Sequence, residues 1–154
     1  MFIMKIADLI TPKSIIANLK ATSKKQVLQE ISRGLAACIN HNYQDIFDVL
    51  LEREKLGTTG VGEGVAIPHG KMEALDTSYG FFARIERPID FESIDERPVD
   101  LVFLLLAPAS SGAEHLKALA LVSRLLRDKD SCEKLRGSST PEALYAILAE
   151  NHGH

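Results

Sequence analysis

The chain has 154 residues, with 18 basic and 21 acidic side chains and a formal net charge of −3. One domain normally takes about 100–150 residues, so a single unit with a real core is expected over residues 1–150, ahead of a short tail at 151–154. Mild acidity argues against nucleic acid as the chief partner, because duplex binding draws on clustered Lys and Arg. With 45% hydrophobic and 25% charged residues, the composition is that of an ordinary folded protein.

Two cysteines, Cys38 and Cys132, make no disulfide framework and no CxxC zinc pair. Both are expected to be buried or half-buried thiols in a reducing compartment. The first residues lack the pattern of a signal peptide. The densest apolar run, Val99 to Ala109, is too short for the roughly 20 residues a bilayer span requires. A cytoplasmic protein without membrane insertion is the expectation.

In chain order, Ser14 to Leu19 reads as a short strand. Ser23 and Gln26 fit a capping box. Val27, Leu28, Ile31, Leu35 and Ile39 then recur at helical spacing. A second helix is predicted from about Gln44 to Leu56, with apolar positions Ile46, Phe47, Leu50 and Leu51 and with Gly57 as its stop. Gly57, Gly60, Gly62 and Gly64 follow within eight residues, which demands unusual backbone angles or the close approach of another group.

Two strands are well signalled. Ser78 to Glu86 carries Tyr79, Phe81, Phe82 and Ile85, and Val99 to Leu106 is almost wholly apolar, as in a strand covered on both faces. A second capping box is predicted from Ser111 to Glu114, opening a helix to about Leu126 with Leu119, Val122 and Leu126 on one face. A short helix over Asp130 to Arg136 stops at Gly137. Thr140-Pro141 opens a last one. Helices around a central sheet make an α/β sandwich, with a mixed β-sheet flanked by helices.

Of five histidines, His152 and His154 lie in the tail, and His41 sits among asparagines at a helix end, where capping or solvation suffices. His69 is different. Pro68 stiffens the backbone before it, and Gly70 is expected to turn the chain away after it, so the imidazole is presented rigidly beside the glycine-rich stretch. A histidine there suits proton transfer, metal ligation or attack at phosphorus. A histidine that only hydrogen-bonds a turn is the plainer alternative.

His115 falls in the first turn of a predicted helix, an end that attracts anions. A surface histidine on an amphipathic helix is the plainer alternative. Arg53 could bind phosphate by a fork of hydrogen bonds, or simply be solvated and paired along its helix. Other templates fail. Gly60-Val-Gly62-Glu-Gly64 lacks the strand and helix of a dinucleotide site, and no Walker A, HExxH or GxSxG motif occurs. A zinc site from His69, His115 and a carboxylate has no ligand spacing on one element to support it.

The stretch from Arg53 through Gly57-Thr-Thr-Gly60-Val-Gly62-Glu-Gly64-Val-Ala-Ile-Pro68-His69-Gly70-Lys71 closely resembles the signature of the mannitol/fructose class of phosphotransferase-system IIA proteins. Arg97-Pro-Val-Asp100 through Pro108, and His115-Leu-Lys-Ala-Leu, match as well. Within the class the chain is most similar to the nitrogen-regulatory group.

The resemblance implies a phosphocarrier that holds a phosphoryl group on Nε2 of His69, with His115 and Arg53 as further active-site residues. It implies no metal and no cofactor. The implied donor is an HPr-like phosphocarrier, NPr in the nitrogen-type system. The implied targets are regulatory proteins, among them potassium-transport proteins and sensor kinases. A sugar-specific IIA component that passes phosphate to a IIB domain is the alternative, and a binding module whose histidine is never phosphorylated is a third reading. The absence of a fused IIB, IIC or HPr-like segment favours the regulatory role. The resemblance assigns no role to Glu114, beside His115.

Overall fold

A computed structural model describes residues 4–150; His152 and His154 lie outside that range. A six-stranded mixed sheet runs in the order β1 (Ile15–Leu19), β5 (Tyr79–Ile89), β6 (Val99–Pro108), β3 (Val65–Ala66), β2 (Gly60–Gly62), with β4 (His69–Met72) also paired to β6. β1 lies parallel to β5, β5 antiparallel to β6, and β3 and β4 both parallel to β6. β3 and β4 are thus one line of chain laid along β6. Val65 pairs with Leu101 and His69 with Leu105, and Ile67-Pro68 interrupts between them.

β6 is the axis of the core. Val102, Leu104 and Leu106 face α1 (Lys24–Ile39) and α2 (Tyr43–Lys55). Leu101, Phe103 and Leu105 face α3 (Ala113–Arg127), α4 (Lys129–Arg136) and α5 (Pro141–Ala149). Alternate side chains entering two apolar layers explain why this strand has no polar face. Phe82 of β5 opposes Phe103 of β6 in register, their tilted rings 6.3 Å apart.

The helices start and stop for local reasons. Ser23 accepts the Gln26 N–H, Asn42 that of Gln44, Asp128 that of Ser131, and Thr140 that of Ala143, so each side chain satisfies an orphan donor of its helix. The first capping box is half formed, because the Gln26 side chain receives the Thr22 N–H and hydroxyl rather than turning back to Ser23. The second does not form. Gly112 takes the N-cap position of α3, and the Ser111 hydroxyl donates to the Pro108 carbonyl, closing the turn after β6 instead.

Two other expectations are corrected. Cys38 is exposed, on the outer side of α1 near its end, while Cys132 is buried as expected. Gly70 does not turn the chain; it continues β4 alongside Leu106. A Cβ there would lie 2.3 Å from Cγ1 of Val49, so the glycine lets α2 press against the strand that carries His69. The real turn lies upstream, where Gly62, Glu63 and Gly64 all have positive φ and reverse the chain between β2 and β3.

Candidate functional site

His69 opens β4, half-buried, at the point where three elements converge. Pro68 cannot donate to the sheet, but its carbonyl accepts the Leu105 N–H at 2.9 Å and fastens the segment to β6. One residue earlier, the Ile67 carbonyl lies 2.8 Å from Nδ1 of His69. A carbonyl can only accept, so Nδ1 carries the proton and Nε2 is left with its lone pair.

The Nε2 side of the ring faces Arg53, in the last turn of α2. The Arg53 Nε–H donates to His69 Nε2 at 3.3 Å, which fits the same tautomer. Nη1 donates to the Gly57 carbonyl at 2.9 Å, anchoring the guanidinium to the loop that follows its own helix. Nη2 has no hydrogen-bond partner among the described residues.

From the opposite layer, α3 brings His115. The two imidazole rings lie 5.8 Å apart at an angle of 50°. His115 lies on the inner stripe of α3 with Ala118, Val122 and Leu125, and is only 6% exposed, so the surface reading of this residue does not hold. Its Nδ1 is buried with no hydrogen-bond partner among the described residues. An orphaned N–H donor is rarer in protein interiors than an under-used acceptor, so the proton belongs on Nε2.

Burial holds both imidazoles below the ordinary histidine pKa of 6.5. For His69 the bond to Ile67 and the Glu54 carboxylate act upward, and the Arg53 cation acts downward. For His115 the neighbouring His69 and Lys71 add to the lowering by burial. Both rings are therefore neutral near pH 7. His69 carries a free nitrogen lone pair beside a guanidinium, an arrangement suited to nucleophilic attack on an electrophile that carries negative charge.

Among the described residues no group of three or more His, Cys, Asp or Glu side chains is placed to hold a metal ion. No helix there is long and apolar enough to cross a membrane. The structure brings His69, His115 and Arg53 together from three separate segments. Glu114 is exposed and stays apart from this group. Sequence reasoning missed Glu54, whose buried carboxylate lies under the 57–60 loop.

Residues 8–151 match the family described as phosphoenolpyruvate-dependent sugar phosphotransferase system, EIIA 2. A nitrogen regulatory protein of Bradyrhizobium diazoefficiens is 58% identical over 146 residues, covering 95% of each chain. One from Escherichia coli K12 is 40% identical over 152 residues, covering 97% of this chain and 93% of the relative. The crystal structure of nitrogen regulatory protein IIA-Ntr from Neisseria meningitidis has a TM-score of 0.87 at 35% identity, covering 93% of this chain and 98% of that one. IIA mannitol from Escherichia coli shares the fold, with a TM-score of 0.76 at 23% identity over 91% of this chain and 99% of that one. A mixed sheet with helices on both faces, the relatives' full-length coverage and the family match agree: the chain belongs to the EIIA type 2 family of the phosphoenolpyruvate-dependent sugar phosphotransferase system.

Proposed function

We propose that the protein is a phosphocarrier of the nitrogen-type phosphotransferase system. It accepts a phosphoryl group on Nε2 of His69 from an HPr-like protein of the NPr kind. It then acts on regulatory protein targets, such as potassium-transport proteins or sensor kinases, according to its phosphorylation state. The observation that carries Nε2 of His69 as the acceptor is its tautomer, with Nδ1–H held by the Ile67 carbonyl, the Nε2 lone pair turned to Arg53 and the His115 ring 5.8 Å away. The 58% identity to a nitrogen regulatory protein supports the nitrogen-type role.

In the transfer, the Nε2 lone pair forms the new N–P bond as the donor's P–N bond breaks. The bonding pair of the old bond returns to the donor's ring nitrogen, and no proton needs to move. The imidazole that gains phosphorus becomes cationic while Nδ1 keeps its proton, and the Ile67 carbonyl dipole faces that charge. The transition state is loose, with negative charge on the equatorial phosphoryl oxygens, so catalysis rests on positioned donors. Arg53 gives up its bond to Nε2 and turns its free N–H groups to those oxygens, still tethered at Gly57. His115 donates from Nε2. The phosphoryl oxygens carry about 1.5 to 2 negative charges, offset in part by the ring cation behind them, and change which surfaces dock there.

The test is to incubate the protein with phosphoenolpyruvate and either the sugar-type or the nitrogen-type donor chain, and to measure acid-labile phosphate on wild type and His69→Ala. Label from the nitrogen-type chain, absent from His69→Ala and not passed to a fructose-type IIB domain, is the expected result. Onward transfer to that IIB domain would favour the sugar-transport role instead. No label from either chain, or a labelled His69→Ala variant, would defeat the assignment.

A further inference from the structure

Glu54 stands where a carboxylate is disfavoured. It is third in the stripe Ile46, Leu50, Glu54, spaced four residues apart on the buried side of α2. It also sits in the last turn of that helix, where the negative end of the dipole repels an anion. Only 4% of its side chain is exposed. A carboxylate so placed persists when it is both paired and hydrogen-bonded.

Its partners lead to the site. Lys24 Nζ lies 2.7 Å from Oε2, and Lys24 is itself 3.6 Å from the Glu92 carboxylate and 4.9 Å above the Phe91 ring. The Thr59 N–H lies 3.2 Å from both Glu54 oxygens, and the Thr59 hydroxyl donates to Oε1. From there the contacts continue through the backbone of Thr59 and then of Ile67. The Thr59 carbonyl accepts the Ile67 N–H at 3.0 Å, and the Ile67 carbonyl accepts the His69 Nδ1–H at 2.8 Å. In the other direction, Gly57 begins the same loop and holds Nη1 of Arg53.

We infer that Glu54 is a positioning residue: its carboxylate pins the 57–60 loop through Thr59 and thereby sets both the Nδ1–H tautomer of His69 and the seat of Arg53. The inference rests on the reading that His69 accepts the phosphoryl group. Glu54 touches neither the imidazole nor an incoming phosphate. It acts by position: charge-assisted bonds to Thr59 hold the residue whose carbonyl takes the Ile67 N–H, and Ile67 in turn presents its own carbonyl to His69 Nδ1. The same negative charge opposes the lowering of the His69 pKa by burial and by Arg53.

Three variants test this. Glu54→Gln keeps the shape and removes the charge, Thr59→Val removes the hydroxyl, and Thr59→Ser keeps it. Long-range 1H–15N spectra of the unphosphorylated protein read the His69 tautomer and its titration without any donor present. Phosphate uptake from the phosphoenolpyruvate-charged nitrogen-type chain is timed in parallel. Wild type and Thr59→Ser are expected to hold a single Nδ1–H tautomer. Glu54→Gln and Thr59→Val are expected to show mixed tautomers and uptake slower on the order of tenfold, and Glu54→Gln a His69 pKa lower still. An unchanged His69 tautomer in both variants would overturn the inference, whatever happens to their melting temperatures. If Glu54→Gln does not fold, the Thr59→Val and Thr59→Ser pair decides the matter. A wild type that takes no phosphate defeats the phosphocarrier reading, while the spectra still judge Glu54.

Discussion

One half-buried and one buried imidazole, both held below pKa 6.5, give the protein a pH signature on each side of its proposed chemistry. The attacking form of His69 is neutral, so the phosphorylation rate should stay level above pH 6.5 and fall on acidification, with its midpoint below that value. Stability follows the same direction. In the unfolded chain these histidines bind protons near pH 6.5, whereas in the fold they resist doing so. Their contribution is therefore fully present above about pH 6.5 and is lost as the pH falls from there toward the lowered folded values. Denaturant melts from pH 7.5 to 5 should show that slope, and His69→Ala should flatten part of it. For Arg53→Ala we expect phosphoryl uptake about a hundredfold slower, since one transition-state donor is removed, with stability changed by less than about 1 kcal/mol. His115→Gln, which keeps an N–H donor, should retain more of the rate than His115→Ala. Stopped-flow or rapid-quench uptake assays decide both.

At the scale of elements, most of the fold was legible and the reasons for the rest are physical. The helical stripes of α1 and α2 and the unbroken apolar run of β6 are local patterns, and each reappears in the structure. The short strands β2, β3 and β4 could not be read in that way. Gly60, Gly62 and Gly64 weaken any strand signal; β3 and β4 are strands because the distant β6 offers them a ladder, and β2 because β3 then offers it one. The Ser111–Glu114 pattern misled because a hydroxyl beside a proline turn found the Pro108 carbonyl before any helix N–H. At the candidate site, His69, His115 and Arg53 could be picked out by the family resemblance, while their mutual geometry could not. Glu54 did leave a trace, an acid on the apolar stripe of α2 and at its carboxyl end, though its cationic partner, Lys24, lies far along the chain on α1. Two glycines separate packing from chemistry. Gly34→Ala would set a Cβ 2.2 Å from the Phe81 ring, and Gly70→Ala would set one 2.3 Å from Val49. Each should lose about 1–3 kcal/mol in urea unfolding through overpacking. Only Gly70→Ala, which shifts the strand of His69 against the helix of Arg53, should also slow uptake.

At the scale of the whole molecule, the layers are tied together by few charged contacts. Arg136, in the last turn of α4, meets Asp100 of β6 through Nε and Nη2 at 2.9 to 3.1 Å, and Nη2 also donates to the Glu63 carbonyl at 2.9 Å. This fork joins a helix, the axial strand and the β2–β3 turn. With both partners partly exposed, Asp100→Asn should cost about 1 kcal/mol, measurable by urea denaturation, and leave phosphoryl uptake unchanged. A larger consequence follows from the single line of chain formed by β3, Ile67-Pro68 and β4. It is laced to β6 on either side of His69, through Ala66 with Val102 and Gly70 with Leu106. A phosphoryl group added at such a point has no loose element to displace. The two states of the protein would then share one backbone and differ at the site itself, in charge and in the turn of Arg53, and a target would tell them apart chiefly by charge. Hydrogen exchange along β6 should be the same with and without phosphate. Discrimination between the two states should weaken as ionic strength rises, because added salt screens the charge that chiefly distinguishes them.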